Sequence, residues 1–447
     1  MQSRSFQKNQ IGNFSTGRRG FLRASGTAAA GVAGMLLART APLVAQEREL
    51  KLLTWSHFVP ASDAELKRQL EEYGAMAGIK VRMDRVAHLQ LPAIMASEVQ
   101  GQKGHDITIA ADANPHLYSK HLINLDDLHD KIGRRSGGYT NTIVGKGRDG
   151  HYRALPWYYI TGPLALRTDL IAEIGENLPD TWEDVHRIGK KLKAKGHPLG
   201  FPMSHGADAN ASMRAIIWSW GGKLVEDDSK TVAFNSKETV EALKFVKALY
   251  EDCMEQEIFA WDDRNNNVCL NSGRCSMILN PISAYNSARQ DNAMIPGTER
   301  PIHTVINHIL PPKGPAGRHG PAGHINIAIW RWSKVQELAK EFFEWHFERG
   351  QQEKFITASL GYNQPFLRSF SMHPIYASNP KFYFAPYMSS YIHAIGWPGV
   401  PTAAAQAVAD QYIVPDAAAS HATGRATAEE AAKKAEFQIK RIYRRHT

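Results

Sequence analysis

The sequence predicts an α/β fold, in which helices cover a parallel sheet, with room for two domain cores. The chain has 447 residues, 43% of them hydrophobic and 22% charged, which is an ordinary globular composition. Short apolar strands alternate with amphipathic helices from residue 49 onward. An aromatic stretch bracketed by Pro156 and Gly162-Pro163 is typical of a segment that crosses between domains.

The parallel sheet is predicted from the order strand, helix, strand, helix, strand. Its strands are the segments 49–55 (ELKLLTW), 79–83 (IKVRM) and 106–112 (DITIAAD). The first helix carries a capping-box pair, Ser62 and Glu65, and Gly78 is placed to end it. Because ligands bind at the carboxyl ends of strands in such sheets, we expect the polar residues after these strands to line a site.

Later elements are marked by caps, glycines and prolines. Thr181 with Asp184 caps one helix, and Ser236 caps another. Trp182 and Trp345 fall on the apolar stripes of helices, where core packing explains them. The other elements are a crossing segment at 153–171, a buried strand at 275–280, a loop at 311–324 and a last helix at about 427–444.

Positive charge is concentrated at the amino terminus. The chain has 53 Lys and Arg against 44 Asp and Glu, a net charge of +9. Without the six basic residues of positions 1–45, which hold no acidic residue, the net charge falls to +3. These six are Arg4, Lys8, Arg18, Arg19, Arg23 and Arg39. The rest of the chain is nearly neutral, so we predict no nucleic-acid partner.

The amino terminus has the parts of an export signal. RRGFLR (18–23) resembles the twin-arginine motif that directs folded proteins across the bacterial inner membrane. The apolar run at 24–37 is shorter than the ~20 residues of a membrane span, and Ala45 precedes a polar stretch. We expect residues 1–45 to be a twin-arginine signal peptide, read by the twin-arginine export machinery, and the mature protein to lie in the periplasm. An ordinary secretion signal is the alternative.

Three cysteines are too few for a disulfide scaffold. Cys269 and Cys275 flank a turn-like stretch, so a bridge between them fits an oxidising compartment. Buried unpaired thiols fit equally well. At least one thiol stays free in either case.

Signatures of enzymes and cofactors are absent from the sequence. It has no GxGxxG opening a helix after a strand, no GKS or GKT loop, and no CxxCH, paired CxxC, HExxH or GxSxG. Its 19 histidines lack metal-ligand spacing. The pairs Asp227-Asp228 and Asp262-Asp263 are interpreted as solvated turn residues. We therefore predict no catalytic residue, no cofactor and no metal site.

Aromatic side chains beside polar groups at strand ends indicate a small hydroxylated ligand instead. An indole face packs on the C–H face of a sugar or polyol, while neighbouring polar groups satisfy its hydroxyls. Trp55 and Trp157 fit this role best, since each ends a strand beside Pro, Ser or Tyr. We expect indole faces and uncharged polar groups to hold the ligand.

Ordered motifs along the mature chain resemble those of the extracellular solute-binding proteins of bacterial ABC importers, in the group that includes the maltose-binding protein. Each motif is weak alone, and their order and spacing carry the resemblance. They are KLLTW (51–55), ALPWYYITGPLALRTDLI (154–171), LPDTWEDV (178–185), WGGKLVEDD (220–228), LNSGRCSMILN (270–280), GHINIAI (323–329) and SKVQELAKEFFEW (333–345).

The resemblance implies a periplasmic-binding-protein-like fold, with two doubly wound α/β lobes joined by a hinge and a ligand cleft between them. Lobe 1 would comprise 46–160 and 320–372, and lobe 2 would comprise 161–319 and 373–447. The implied protein is a monomer that captures a carbohydrate or polyol and delivers it to a membrane permease. The implied ligand-lining residues are Trp55, Ser56, His57, Asp112, Trp157, Tyr158, Trp218, Asn280, Ser283, Tyr285, His324, Asn326 and Trp397.

Two alternatives stay open. One is a periplasmic carbohydrate-active or cofactor-dependent enzyme, although its motifs are missing. The other is a binding protein for a polyamine or a metal on the same fold. A polyamine site would need several carboxylates in the cleft, and the sequence identifies only Asp112.

Overall fold

The computed structural model describes residues 48–446, so the predicted signal peptide lies outside the described residues. The strands are β1 (Glu49–Trp55), β2 (Lys80–Val86), β3 (Ile107–Ala111), β4 (Leu155–Thr161), β5 (Leu164–Arg167), β6 (Met277–Leu279), β7 (Ile306–Ile309), β8 (Lys313–Gly314), β9 (Gly317–Arg318), β10 (Ala322–Ile329) and β11 (Gln364–Pro365). The helices of the first half are α1 (Pro60–Ala77), α2 (Leu91–Gly101), α3 (Asn114–Leu117), α4 (Asp126–Arg135), α5 (Thr168–Glu173), α6 (Trp182–Lys193) and α7 (Ala207–Ser219). Those of the second half are α8 (Lys237–Cys253), α9 (Asn265–Asn271), α10 (Ser283–Gln290), α11 (Gln336–His346), α12 (Arg349–Ala358), α13 (Pro374–Ala377), α14 (Ala385–Met388), α15 (Ala403–Asp410), α16 (Ile413–Ala422) and α17 (Ala428–His446).

The first lobe is built on a six-stranded sheet with the order β11-β4-β10-β3-β1-β2. Strand β1 is parallel to both of its neighbours, pairing Trp55 with Val86 and Leu52 with Ile107. This confirms the parallel arrangement predicted from the alternating strands and helices. The other pairs of the sheet, made by β10 and β11, are antiparallel.

The second lobe contains a three-stranded antiparallel sheet with the order β6-β5-β7. Only Gly162 and Pro163 separate β4 from β5, so the chain passes here from one sheet to the other. A Cβ at Gly162 would lie 2.6 Å from Cγ of Pro321, so this crossing requires a glycine. The predicted crossing segment is thereby confirmed, and the predicted loop at 311–324 contains the β8–β9 hairpin.

Most of the predicted helix ends are confirmed. Thr181 Oγ1 accepts a hydrogen bond from the Asp184 amide at 3.1 Å, and Ser236 Oγ accepts one from the Thr239 amide at 3.1 Å. Gly78 ends α1 in the left-handed region, at φ 62°.

The capping box predicted at Ser62 is wrong. Helix α1 begins two residues earlier, at Pro60, whose ring fixes the φ value that a first helical residue needs. Ser62 is instead buried, and its Oγ accepts a hydrogen bond from Asn363 Nδ2 at 3.4 Å. A serine inside the first turn therefore mimicked a cap in the sequence.

The carboxyl-terminal helices contact both lobes. Helix α16 packs against α7 and α8, whereas α15 packs against α3 of the first lobe. Two hydrogen bonds join α15 to the first lobe, from the Ala113 amide to Gln406 Oε1 at 3.2 Å and from the Ala403 amide to His116 Nδ1 at 3.0 Å.

One disulfide bond lies in the second lobe. It joins Cys269 of α9 to Cys275 just before β6, with 5.2 Å between the Cα atoms. Of the two arrangements that the sequence allowed, the bridge is therefore the one formed. Cys253, at the end of α8, is buried and unpaired.

Candidate functional site

A cavity of about 400 Å³ lies between the two sheets. Known small-molecule sites span ~300–1,000 Å³, so this volume suits a small solute. The first lobe contributes Trp55, which ends β1, Asp112, which directly follows β3, and Gly323 of β10. The second lobe contributes Leu279, at the end of β6, and the amino-terminal half of α7. Strand ends from both sheets therefore border one cavity, as expected for this fold class.

Aromatic and aliphatic side chains form much of the cavity wall. The aromatic ones are Trp55, Phe58, Tyr118, Tyr362 and Tyr412. Tyr412 is held by stacking on His205, with 4.7 Å between ring centroids and 5° between the planes. Flat apolar rings of this kind suit the C–H face of a small ring or chain.

Four carboxylates line the same cavity, namely those of Asp112, Asp208, Asp263 and Asp410. This corrects two expectations from the sequence. Charged groups stand where mainly uncharged polar groups were expected, and Asp263, interpreted as a solvated turn residue, faces the cavity. No periodic pattern or motif in the sequence indicates that these residues lie together.

Asp112 is anchored to the strand beside it. Its amide donates to the His324 carbonyl at 2.7 Å, and its Oδ1 accepts from the His324 amide at 3.1 Å. Burial acts to raise the pKa of Asp112, but the hydrogen bonds from His324 and the nearby Arg214 charge outweigh it and lower the pKa. Its φ of 44° is unusual for a residue other than glycine, and such backbone conformations cluster at functional sites.

Asp208 and Asp263 form a like-charged pair on the opposite wall. The Asp208 amide donates to Asp263 Oδ1 at 3.1 Å, and Asp208 Oδ2 accepts from Asn266 Nδ2 at 2.8 Å. Burial raises the pKa of both carboxyl groups, and the charge of Asp263 raises that of Asp208 further. Each of these carboxyl groups has a higher pKa in the folded protein than in the unfolded chain. Stability therefore falls as pH rises from the unfolded-state pKa to the folded-state pKa.

Asp410 and Arg214 complete the charged part of the wall. Burial raises the pKa of Asp410, and the charge of Asp112 adds to this effect, although a hydrogen bond from Gln406 opposes it. Burial lowers the pKa of the Arg214 guanidinium, against the charge of Asp112. Within residues 48–446, the buried Nε of Arg214 has no hydrogen-bond partner.

Of the predicted site residues, Trp55 and Asp112 line the cavity. A buried chain of hydrogen bonds holds the Trp55 indole. Trp55 Nε1 donates to the Tyr158 hydroxyl at 3.1 Å, that hydroxyl lies 2.8 Å from His57 Nε2, and His57 Nδ1 lies 2.8 Å from Asp63 Oδ1. Tyr158 and His57 therefore stand behind the wall and position the ring that faces the cavity.

Three other predicted residues also support lining residues from behind. His324 holds Asp112, as described above. Asn280 Oδ1 accepts from Asn266 Nδ2 at 3.2 Å, the same nitrogen that donates to Asp208, and Asn280 Nδ2 donates to Ser283 Oγ at 3.1 Å. These three residues are buried and do not line the cavity themselves.

The remaining predicted residues lie elsewhere. Ser56 is exposed and lies outside the lining. The side-chain Nδ2 of Asn326 donates to the Ala110 carbonyl inside the sheet. Trp157 is 1% exposed and stacks on Phe355. Trp218 and Trp397 pack with His393 in a separate aromatic cluster, and Tyr285 borders a different cavity, with its hydroxyl accepting from Asn379.

Residues 48–446 contain no group of three or more His, Cys, Asp and Glu side chains arranged to hold a metal ion. In the same part of the chain, none of the helices has both the length and the apolar character needed for a membrane span.

Residues 68–384 match the family of bacterial extracellular solute-binding proteins. The chain belongs to that family. A probable ABC transporter-binding protein of Deinococcus radiodurans is 24% identical to this solute-binding protein over 232 residues. That alignment covers 50% of this chain and 52% of the relative, so the match spans about half the length of the relative.

Solved structures with the same fold include three proteins whose bound ligands are known. A solute-binding protein of Thermotoga lettingae with α-D-tagatose has a TM-score of 0.76 at 16% identity, covering 89% of this chain and all of its own. A sugar transporter protein of Arthrobacter chlorophenolicus with laminaribiose has a TM-score of 0.76 at 17% identity, and the match covers 88% of this chain and 99% of that protein. A solute-binding protein of Agrobacterium radiobacter with ribitol has a TM-score of 0.72 at 19% identity, and the match covers 88% of this chain and 98% of that protein. At these identities the likeness establishes the two-lobed fold.

Proposed function

We propose that this protein is the periplasmic solute-binding component of an ABC transporter, which captures a carbohydrate or polyol between its lobes and delivers it to the membrane permease. The cavity between the two sheets carries this proposal, because aromatic rings share its wall with hydrogen-bonding groups. Rings suit the C–H surface of such a solute, and the polar groups suit its hydroxyls. The bound tagatose, laminaribiose and ribitol of the structural relatives support the solute class.

The lobes are proposed to be 46–160 with 320–372, and 161–319 with 373–447, and to close around the solute as a monomer. The solute would contact Trp55 and Asp112 from one side and Asp208 and Asp263 from the other. A solute that contacts both walls binds the closed form more tightly than the open form, so binding shifts the population toward closure. The permease would then recognise the closed form of the protein.

A ligand screen tests the solute class. Mono-, di- and trisaccharides, polyols, amino acids and polyamines are added to the purified protein, and the melting temperature is measured. A solute at about 100 times its Kd stabilises the folded protein by ~2.7 kcal/mol, so a sugar or polyol is expected to raise the melting temperature by several degrees. A shift confined to amino acids, or to polyamines without hydroxyls, would refute the proposed class. Turnover of a bound sugar would favour the enzyme alternative.

Export through the twin-arginine machinery is the second part of the proposal. Replacing both Arg18 and Arg19 with lysine is expected to abolish accumulation in the periplasm, because the machinery reads the arginine pair itself. Cell fractionation and immunoblotting measure the distribution, with Arg4→Lys and Lys8→Arg together as the control outside the motif. Unchanged periplasmic accumulation of the double variant would point to an ordinary secretion signal.

A further inference from the structure

The charge of the cavity is unbalanced. Four aspartates line it, and Arg214 is the only Lys or Arg among the lining residues that the structure describes. The carboxylates come from different parts of the fold, so they surround the space. Asp112 lies in the first lobe, Asp208 and Asp263 lie in the second, and Asp410 ends α15.

Three of these carboxylates lack a Lys or Arg partner, although the charge of His88, which also lines the cavity, acts to lower the pKa of Asp263 against burial, which raises it. Asp208, Asp263 and Asp410 make no ion pair within the described part of the chain. Their hydrogen bonds come from neutral amides, such as Asn266 Nδ2 to Asp208 and Gln406 Nε2 to Asp410. Closing the lobes over this space without a counter-charge would bury like charges together, which is costly.

Two buried polar atoms of the cavity wall have no hydrogen-bond partner within residues 48–446. Asn210 is 6% exposed, and its Nδ2 donates to the Ala409 carbonyl at 2.8 Å, but its Oδ1 has no donor among residues 48–446. Ser212 is 1% exposed, and within the same range its Oγ has no partner. Both residues line the cavity. Asn210 Oδ1 and the carboxylate oxygens are all acceptors, so a solute that supplies hydrogen-bond donors would fit this wall best.

We propose that the solute is a small hydroxylated amine that carries a positive charge at neutral pH, such as an aminated polyol or an amino sugar. This inference rests on the proposed function and narrows its solute class. An ammonium group supplies up to three N–H donors and a positive charge, whereas a hydroxyl supplies one donor and no charge. The ammonium would lie toward Asp208 and Asp263, and the hydroxyls and C–H groups toward Asp112 and the aromatic wall.

The aromatic wall fits the same solute. Tyr362 and Tyr412 line the cavity together with Asp208 and Asp263. Burial raises the pKa of both tyrosines, and the charge of Asp263 raises both further. A cation beside the face of an aromatic ring is attracted to the ring as well as to carboxylates. Nε of Arg214, which has no hydrogen-bond partner among residues 48–446, is then available to donate to a hydroxyl or ring oxygen.

The test uses matched solutes that differ in charge. The purified protein is titrated calorimetrically with glucosamine, glucose and N-acetylglucosamine, with 1-amino-1-deoxysorbitol and sorbitol, and with further amine and hydroxyl pairs of pentoses and tetritols. The amine of the best-bound pair is expected to bind at least tenfold more tightly than its hydroxyl counterpart. N-acetylation keeps the bulk and removes the charge, so it is expected to abolish the preference.

Asp208→Asn is the decisive variant. It retains the oxygen that accepts from Asn266 and removes one charge, so the ratio of amine affinity to neutral-solute affinity is expected to fall at least tenfold. Its melting temperature is expected to be no lower than that of the parent, because one of two like charges is gone. Asp227→Asn, the same change in an exposed turn, serves as the control and is expected to keep the preference.

The outcomes separate this inference from the proposed function. Tighter binding of the neutral member of every pair, or an unchanged preference in Asp208→Asn, overturns the inference and leaves a neutral sugar or polyol as the solute. Binding of polyamines alone overturns both, since no hydroxylated solute is then recognised. Failure of every sugar, polyol and amine to bind likewise overturns both.

Discussion

Replacing Trp157 with alanine is expected to lower the free energy of unfolding by about 3–5 kcal/mol, the cost of removing a large aromatic side chain from a packed core. The indole is 1% exposed. It stacks on Phe355 with 5.0 Å between ring centroids and 16° between the planes, and it meets His346 edge-on at 5.1 Å. No neighbouring side chain can fill the resulting cavity without leaving its own contacts.

Denaturant unfolding followed by circular dichroism measures this loss, and solute affinity is measured below the transition. Because Trp157 does not line the cavity, the folded Trp157→Ala protein is expected to keep its affinity. Trp345→Ala is the control, since this half-buried indole lies on the surface of α11 and its removal should cost less. A small stability loss with weakened binding would restore the ligand-binding role that the sequence suggested for Trp157.

Replacing Trp55 with alanine is expected to weaken solute binding by about 2 kcal/mol, or roughly thirtyfold. Trp55 ends β1, lines the cavity and is held in place by the Tyr158 hydroxyl. Alanine removes the ring face from the solute and leaves that hydroxyl without its indole donor. The stability loss should be smaller than for Trp157→Ala, because the truncation enlarges an existing cavity rather than opening a new one in the core.

Calorimetric titration of the best solute from the ligand screen measures the affinity of the Trp55 variants. Trp55→Phe is the matched variant, since it keeps a ring against the solute and removes the indole N–H. It is expected to retain most of the affinity. If Trp55→Ala instead lowered stability strongly and left affinity unchanged, Trp55 would belong to the core.

The sequence predicted the fold well where local chemistry decides it. Alternating strands and helices predicted the parallel pairing of β1 with its neighbours, and Gly162-Pro163 predicted the crossing between sheets. The antiparallel second sheet was not predicted. Its strands β5, β6 and β7 are far apart in the chain, and their pairing depends on contacts that no local pattern encodes.

The candidate site was predicted only in part, for a similar reason. Trp55 and Asp112 were identified because they stand at strand ends, where the topology of a parallel sheet gathers residues. His57 was selected in the same way, and Tyr158 and His324 were selected from the family resemblance. All three lie one layer behind the wall. Strand position gives the neighbourhood of a side chain, but alternation and local twist decide whether it faces the cavity or the core.

Asp208, Asp263 and Asp410 were not identified as lining residues because nothing local distinguishes them from solvated acids. Asp208 lies in the first turn of α7, where acidic residues are common near the helix dipole. Asp263 follows another aspartate in a loop, and Asp410 ends a short helix. Tertiary packing brings these three side chains together.

The arrangement of the three sulfur atoms governs how the chain is oxidised. Cys253 is 0% exposed, its Sγ lies 3.3 Å from the His186 carbonyl, and burial raises its pKa to about 12. Thiol–disulfide exchange requires a thiolate, so this thiol cannot attack the Cys269–Cys275 bridge at neutral pH. The bridge joins residues six apart, whose Cα atoms lie 5.2 Å from each other in the fold. In the folded chain, burial of Cys253 therefore protects the Cys269–Cys275 pairing from exchange with the third cysteine.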